Sequence, residues 1–194
     1  MRTHAVKLLT HEYIARKMDL DITWSRKAAK LPPEVRRELA GRLETLHRYF
    51  REITPSVNIG ISRSYDGLAF QSYDGSVKLM LGVRRTRTGK WRMPTYYTVA
   101  HELMHLVQFN SKHIPGGERA CDVFALSRLP PRFIDESPTY LVVPRGRRVR
   151  WTREDAEIAH ELALEAVRRR AAGLRRYAAW WELEFERRVS QARK

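Results

Sequence analysis

The residues best equipped for chemistry lie in the run Thr98-Val99-Ala100-His101-Glu102-Leu103-Met104-His105-Leu106-Val107. On an α-helix, side chains four apart stand above one another, so the imidazoles of His101 and His105 leave one face and can reach the same metal ion. Glu102 is turned too far round the helix to be an easy third ligand, but it can take a proton from a water activated by that metal. The expected chemistry is hydrolysis assisted by Zn2+, with His101 and His105 as ligands and Glu102 as general base. Uncharged neighbours on the other positions suit a helix whose sides and back are buried. The competing reading is an ordinary buried helix with two hydrogen-bonded histidines. Two further His-Glu pairs, His11-Glu12 and His160-Glu161, carry Ala15 and Leu164 where the second histidine would fall. Only the middle pair has both imidazoles.

A catalytic zinc site usually takes three protein ligands and keeps one position for water, so the chain beyond Ser111 must supply another donor. Glu118 follows the loop His113-Ile114-Pro115-Gly116-Gly117 and opens a second apolar helix. Asp122, four residues on, shares its face and can accept a hydrogen bond from the far nitrogen of a metal-bound histidine. An acidic residue is also favoured at a helix N-terminus for electrostatic reasons alone.

His101-Glu102-x-x-His105 followed by Glu118-x-x-x-Asp122 resembles the gluzincin metallopeptidases, in which a glutamate on a second helix completes the site and an aspartate supports a histidine. Strands before the HExxH helix and a glutamate helix after it look like the compact minigluzincins. Glu118-Arg119-Ala120-Cys121-Asp122-Val123-Phe124-Ala125, closing at Leu129-Pro130, is similar to the glutamate helix of the ImmA/IrrE peptidases. The resemblance spans roughly residues 55 to 131 and implies a zincin-like fold, Zn2+, and Glu118 as third ligand. The loop from His105 to Glu118 is shorter than in the larger gluzincins, and His113 is the rival ligand, as in SprT-like proteases with a third histidine. The metzincin pattern does not fit, since its glycine and third histidine would fall at Gln108 and Ser111.

The elements that must position these groups can be read from periodicity. Residues 1–30 form an N-terminal arm with a modest amphipathic pattern of Val6, Leu9, Tyr13, Ile14 and Met18. Pro32-Pro33 then punctuates the chain, and Val35, Leu39, Leu43, Leu46 and Phe50 predict a helix from Glu34 to about Arg51 that backs a sheet. Alternation predicts strands at Ser56 to Arg63 and Ser76 to Val83. Between them, Ser-Tyr-Asp-Gly occurs at 64–67 and again at 72–75, bracketing Leu68-Ala69-Phe70-Gln71. Asp-Gly favours hairpin turns, so three antiparallel strands are expected. Pro94 is expected to open the metal helix, which should end near Asn110 or Ser111. The fold class is α+β, and residues 31–143 form the zincin-like domain. A peptide substrate is expected to lie along an edge strand near Val77 to Val83.

Beyond the second helix, Thr139 to Val143 is a short strand or a loop crossing the site, with Tyr140 a conceivable oxyanion donor and more often a packed aromatic. Residues 144–194 read as a basic helical extension. Thr152 and Asp155 offer a capping box for a long C-terminal helix, with Gly173 a place to break or bend. Its apolar stripe packs on the rest of the chain or on a second copy as a homodimer. Its arginines are solvated or, alternatively, form a nucleic-acid arm anchored by Trp180 or Trp181.

The 194 residues can bury a large core, and one cysteine, Cys121, excludes an internal disulfide framework. Neither a secretory h-region nor a membrane-length apolar run is present, which leads to an expected cytoplasmic, intracellular protein without membrane contact. The net charge of +15 attracts polyanions, so nucleic acid joins a peptide or protein substrate among the expected partners. The main functional expectation is a zinc metallopeptidase. Its alternatives are a nucleic-acid-associated protein with a metallopeptidase-like core and a latent peptidase covered by a terminal segment.

Overall fold

The computed structural model describes residues 20–111 and 113–191. The amphipathic pattern from Val6 to Met18 lies outside them. The chain is α+β, with a small mixed sheet and, among the described residues, six α-helices.

The sheet contains β1 (Ile22–Trp24), β2 (Ser56–Ile61), β3 (Gly67–Gln71), β4 (Val77–Arg85) and β5 (Trp91–Arg92). Its order is β1-β2-β4-β3, with β5 pairing the far end of β4. Three antiparallel strands in sequence order were expected; instead β2 pairs β4 in parallel, while β3 pairs β4 antiparallel. The second Asp-Gly does turn a hairpin, with Gly75 at φ +80°, the left-handed region glycine tolerates. The first does not, because its Gly67 is already the first residue of β3. To reach the far edge, the connection from β2 must cross β4. It does so over Gly82, where any Cβ would strike the Tyr65 carbonyl, and the Gly82 N–H donates to Asp66 O. Strand β4 is therefore internal, and the expectation of a peptide edge at Val77 to Val83 is corrected: β3 is the outer strand beside it.

Helix α1 (Pro33–His47) buries Val35, Leu39, Leu43 and Leu46 at the expected spacing and stops earlier than periodicity indicated, with Phe50 buried in the following turn. Helix α2 (Tyr96–Asn110) carries the two histidines. Thr95, rather than Pro94, starts it, its hydroxyl accepting the Thr98 N–H. The Asp135 carboxylate takes the N–H groups of Tyr96 and Tyr97, both at 3.0 Å, satisfying donors that a helix start leaves open. Helix α3 (Glu118–Arg128) follows after Gly117, at φ +96°.

The short α4 (Arg145–Val149) precedes a helical pair rather than one long helix: α5 (Arg153–Ala171) and α6 (Tyr177–Gln191). The Thr152/Asp155 capping box is present. Gly173, at φ +100°, ends the first helix and reverses the chain. The stripe of Tyr177, Trp181, Phe185 and Val189 is then spent within the chain, with Trp181 stacked on Phe185 and its indole N–H donating to Ala159 O at 3.1 Å. Trp181 is fully buried and offers no anchor to a partner. Buried residues of α5 and α6 belong to the same core as those of α1, the sheet and α2. Among the described residues, no helix is long and apolar enough to cross a membrane.

Candidate metal centre

Helix α2 lies across β3 and β4 with Val99, Ala100, Leu103, Met104, Leu106 and Val107 buried, which leaves the His101–His105 face as the one that meets α3. Glu118 is the first residue of α3, and its position brings one oxygen to both histidines. Glu118 Oε2 is 3.0 Å from His101 Nε2 and 3.0 Å from His105 Nε2. The rings stand nearly perpendicular, with centroids 4.8 Å apart.

The other nitrogen of each ring also faces an oxygen. His101 Nδ1 is 2.8 Å from Asp122 Oδ1, and His105 Nδ1 is 2.9 Å from Gln108 Oε1. The Gln108 orientation is decided by its amide N–H, which donates to Pro115 O at 2.8 Å. Four ring nitrogens thus face three acceptor oxygens, Glu118 Oε2 being shared, although a neutral imidazole has only one N–H. With each Nδ1–H donated outward, both Nε2 lone pairs converge beside a carboxylate oxygen. Protons on the rings or on Glu118, or a cation where the three atoms meet, would relieve this contact between acceptors. Donors sharing one small divalent ion at ~2.0–2.2 Å in tetrahedral directions sit ~3.3–3.6 Å from each other, somewhat wider than the 3.0 Å from each Nε2 to Glu118 Oε2.

Asp122 is fully buried and has every oxygen occupied. Besides His101, Oδ1 accepts the Tyr97 hydroxyl at 2.7 Å, and Oδ2 accepts the N–H groups of Tyr140 and Leu141 at 2.7 and 3.0 Å. The 139–143 segment is a loop tied across the site by these bonds, not a strand. It lays the Tyr140 ring on His101, stacked at 5.5 Å between centroids. Burial, then Glu118 and Glu102, hold the Tyr140 phenol above its ordinary range. Burial, then Asp122, hold Tyr97 further still in the same direction.

Glu102 lies on the other flank of the histidines against β3. Gly67 makes room for it, since a Cβ there would stand 2.5 Å from Glu102 Cγ. Burial raises its carboxyl pKa, with the two imidazoles pulling the other way. For His101, burial opposes protonation, but Asp122, Glu102 and Glu118 outweigh it and the ring holds its proton more tightly than usual.

His101, His105 and Cys121 form a second group that could hold a metal, their donor atoms lying within 4.8 Å of one another. Cys121 is buried, its Sγ donates to His101 O at 3.0 Å, and burial followed by the Asp122 charge keeps it a thiol. It lies against the backbone of α2, whereas Glu118 lies at the imidazole tips and is about half exposed.

Of the residues expected from sequence, His101, Glu102, His105, Glu118, Asp122 and Tyr140 come together here. His113 does not: it is exposed on the loop, and its backbone N–H bonds Ser111 Oγ. His160 Nδ1 lies 2.9 Å from Leu126 O, and since a carbonyl only accepts, His160 Nδ1 is the donor. Sequence reading missed Tyr97 and Gln108. Their signal was present, because Tyr97 is four before His101 and Gln108 three after His105, on the same helical face. It also missed Gly67 and Cys121, whose roles depend on contacts between separate elements. In comparisons with protein-family models, curated proteins and solved structures, none matches this chain.

Proposed function

We propose that the chain is a zinc-dependent peptidase with a zincin-like, gluzincin-type site. The observation that supports this best is the convergence of His101 Nε2, His105 Nε2 and Glu118 Oε2, with Glu102 beside them and an acceptor behind each histidine. His101, His105 and Glu118 would hold the ion. Zinc in such a donor set makes a water acidic near neutral pH and polarises a carbonyl.

The chain's own groups divide the remaining work. Glu102, with its pKa raised by burial, accepts the water proton and returns it to the leaving amine. Asp122 fixes the His101 tautomer with Nδ1–H pointing away from the ion, and Gln108 does the same for His105. The substrate lies extended along the outer side of β3, Gly67–Gln71, whose other side is occupied by β4. Tyr140, about half exposed and stacked on His101, would donate to a developing oxyanion.

The test is cleavage of an unfolded, fluorescently labelled protein by zinc-loaded wild type beside Glu102→Ala. Cleavage by wild type and a fall of at least ~100-fold in Glu102→Ala, with zinc retained, is expected for removal of a general base. Equal rates in the two proteins, or no cleavage by fully loaded wild type across a diverse peptide library, would overturn the proposal.

A further inference from the structure

The positive charge of this chain is unevenly neutralised. On the C-terminal helices, Arg168 and Arg169 pair with Glu165, Arg187 with Glu184, and Arg188 with Glu161 and Glu184. Those four arginines stabilise their own helices, while Arg170, Arg175 and Arg176 make no salt bridge among the described residues but are scattered along the helix end and turn without a shared cleft. At the β4–β5 hairpin the situation differs. Strand β4 continues past its last pairing with β2 at Val83, and turns back through Gly89, φ +81°, into β5. The overhang forms a cleft of about 760 Å³ lined by Ile61, Arg63, Arg84, Arg85, Arg87 and Trp91.

Among the described residues, Arg63, Arg85 and Arg87 make no salt bridge, and all three are exposed. Arg84 shares the single carboxylate of Asp66, at 3.2 Å, with Arg92 at 3.9 Å. Moreover, Arg84 and Arg92 are direct cross-strand partners. Like charges facing each other across a ladder cost stability, and the one Asp66 carboxylate offsets only part of the pair's charge. Of that pair, Arg84 lines the cleft, where an anion would add a second counter-charge beside Asp66.

The groups present indicate which anion. Guanidinium planes bind phosphate oxygens two at a time, and Trp91, half-buried in the cleft wall, offers an indole for an unpaired base. We propose that this cleft binds single-stranded nucleic acid, with backbone phosphates on Arg63, Arg85 and Arg87 and a base stacked on Trp91. The site is separate from the candidate metal centre, and binding requires neither the ion nor Glu102.

The test is fluorescence anisotropy of a labelled oligothymidylate over a series of salt concentrations, with the full-length protein. Wild type is expected to bind with a steep salt dependence. Arg63→Gln/Arg85→Gln/Arg87→Gln should lower the slope of log K against log salt by about 2, since each single-strand phosphate left without its arginine removes ~0.7. Arg168→Gln/Arg169→Gln/Arg188→Gln, which removes the same charge, should leave the slope nearly unchanged. Trp91→Leu should weaken the oligonucleotide roughly 5- to 150-fold, as for removal of one stacking platform, while sparing inorganic polyphosphate. Equal effects in the two arginine variants would reduce binding to net charge and overturn the proposal. So would absence of oligothymidylate binding, or equally tight binding of a polyglutamate peptide of matched charge, which would make the partner an acidic protein.

Discussion

Gly67 and Glu102 are in contact across the strand–helix boundary, so close that a methyl group on Gly67 would stand 2.5 Å from Glu102 Cγ. A strand glycine weakens its strand, and here its absent side chain is the space in which the candidate base sits. Gly67→Ala should therefore displace Glu102 without touching a histidine. A fall of roughly 100-fold in kcat is expected for a misplacement of about 1 Å, with zinc content unchanged. Steady-state kinetics beside metal analysis checks this, and full activity in Gly67→Ala would show that Glu102 does not depend on the space Gly67 leaves.

Asp122 joins four groups: the Tyr97 hydroxyl, His101 Nδ1, and the N–H groups of Tyr140 and Leu141. Asp122→Ala leaves three protein donors and one imidazole without their acceptor, each donor worth about 1–3 kcal/mol when stranded. Thermal unfolding should show a marked drop in stability. Zinc affinity should fall about 10- to 100-fold at temperatures where the variant stays folded, as for removal of a carboxylate behind a histidine ligand. Unchanged affinity in a folded Asp122→Ala would mean that the His101 tautomer needs no such support.

Acid should release the metal earlier than a free imidazole would suggest. In the metal-free site the proton on His101 is held above the ordinary value of 6.5, because Asp122, Glu102 and Glu118 together outweigh burial. A metal ion must displace that proton. Above the raised pKa the ring is neutral and affinity is flat; below it, affinity falls by about tenfold per pH unit for each proton displaced. Zinc competition against a chromophoric chelator, followed against pH, should thus show the decline beginning above 6.5. Onset below that value would contradict the arrangement of carboxylates around His101.

Trp181 tests whether the C-terminal helices share one folding unit with the metal site. Its side chain is fully buried in the common core, between Phe185 and the Ala159 carbonyl. Trp181→Ala should cost about 3–5 kcal/mol and lower the unfolding temperature in a single transition. Two separate transitions, with the metal site surviving the first, would show that the helices fold independently.

Much of the site was legible in the sequence because its spacing is local. His101 and His105 share a helix, as do Glu118 and Asp122, so four-residue intervals place each pair on one face. The α+β class and the Thr152 capping box follow from equally local signals. Strand order does not. Asp66-Gly67 and Asp74-Gly75 look alike as turns, yet only the second is one, and the first is decided by a crossing over Gly82 that no short window contains. Gly173 marked the break in the C-terminal helix, but a left-handed reversal and a mild bend read the same until the partner face of α6 is known. Cys121 was legible as a lone cysteine but not as a neighbour of the histidines, because its bond to the His101 carbonyl joins two helices.

The central claim is that Glu118, not Cys121 or His113, completes a zinc site with His101 and His105. Metal stoichiometry of purified wild type, Glu118→Ala, Cys121→Ser and His113→Ala, loaded with zinc and dialysed without chelator, addresses it most directly. One zinc per chain is expected in wild type, Cys121→Ser and His113→Ala, with depletion confined to Glu118→Ala. Zinc retained at full stoichiometry and affinity in Glu118→Ala, or missing from Cys121→Ser, would contradict the account, as would a wild type that binds none.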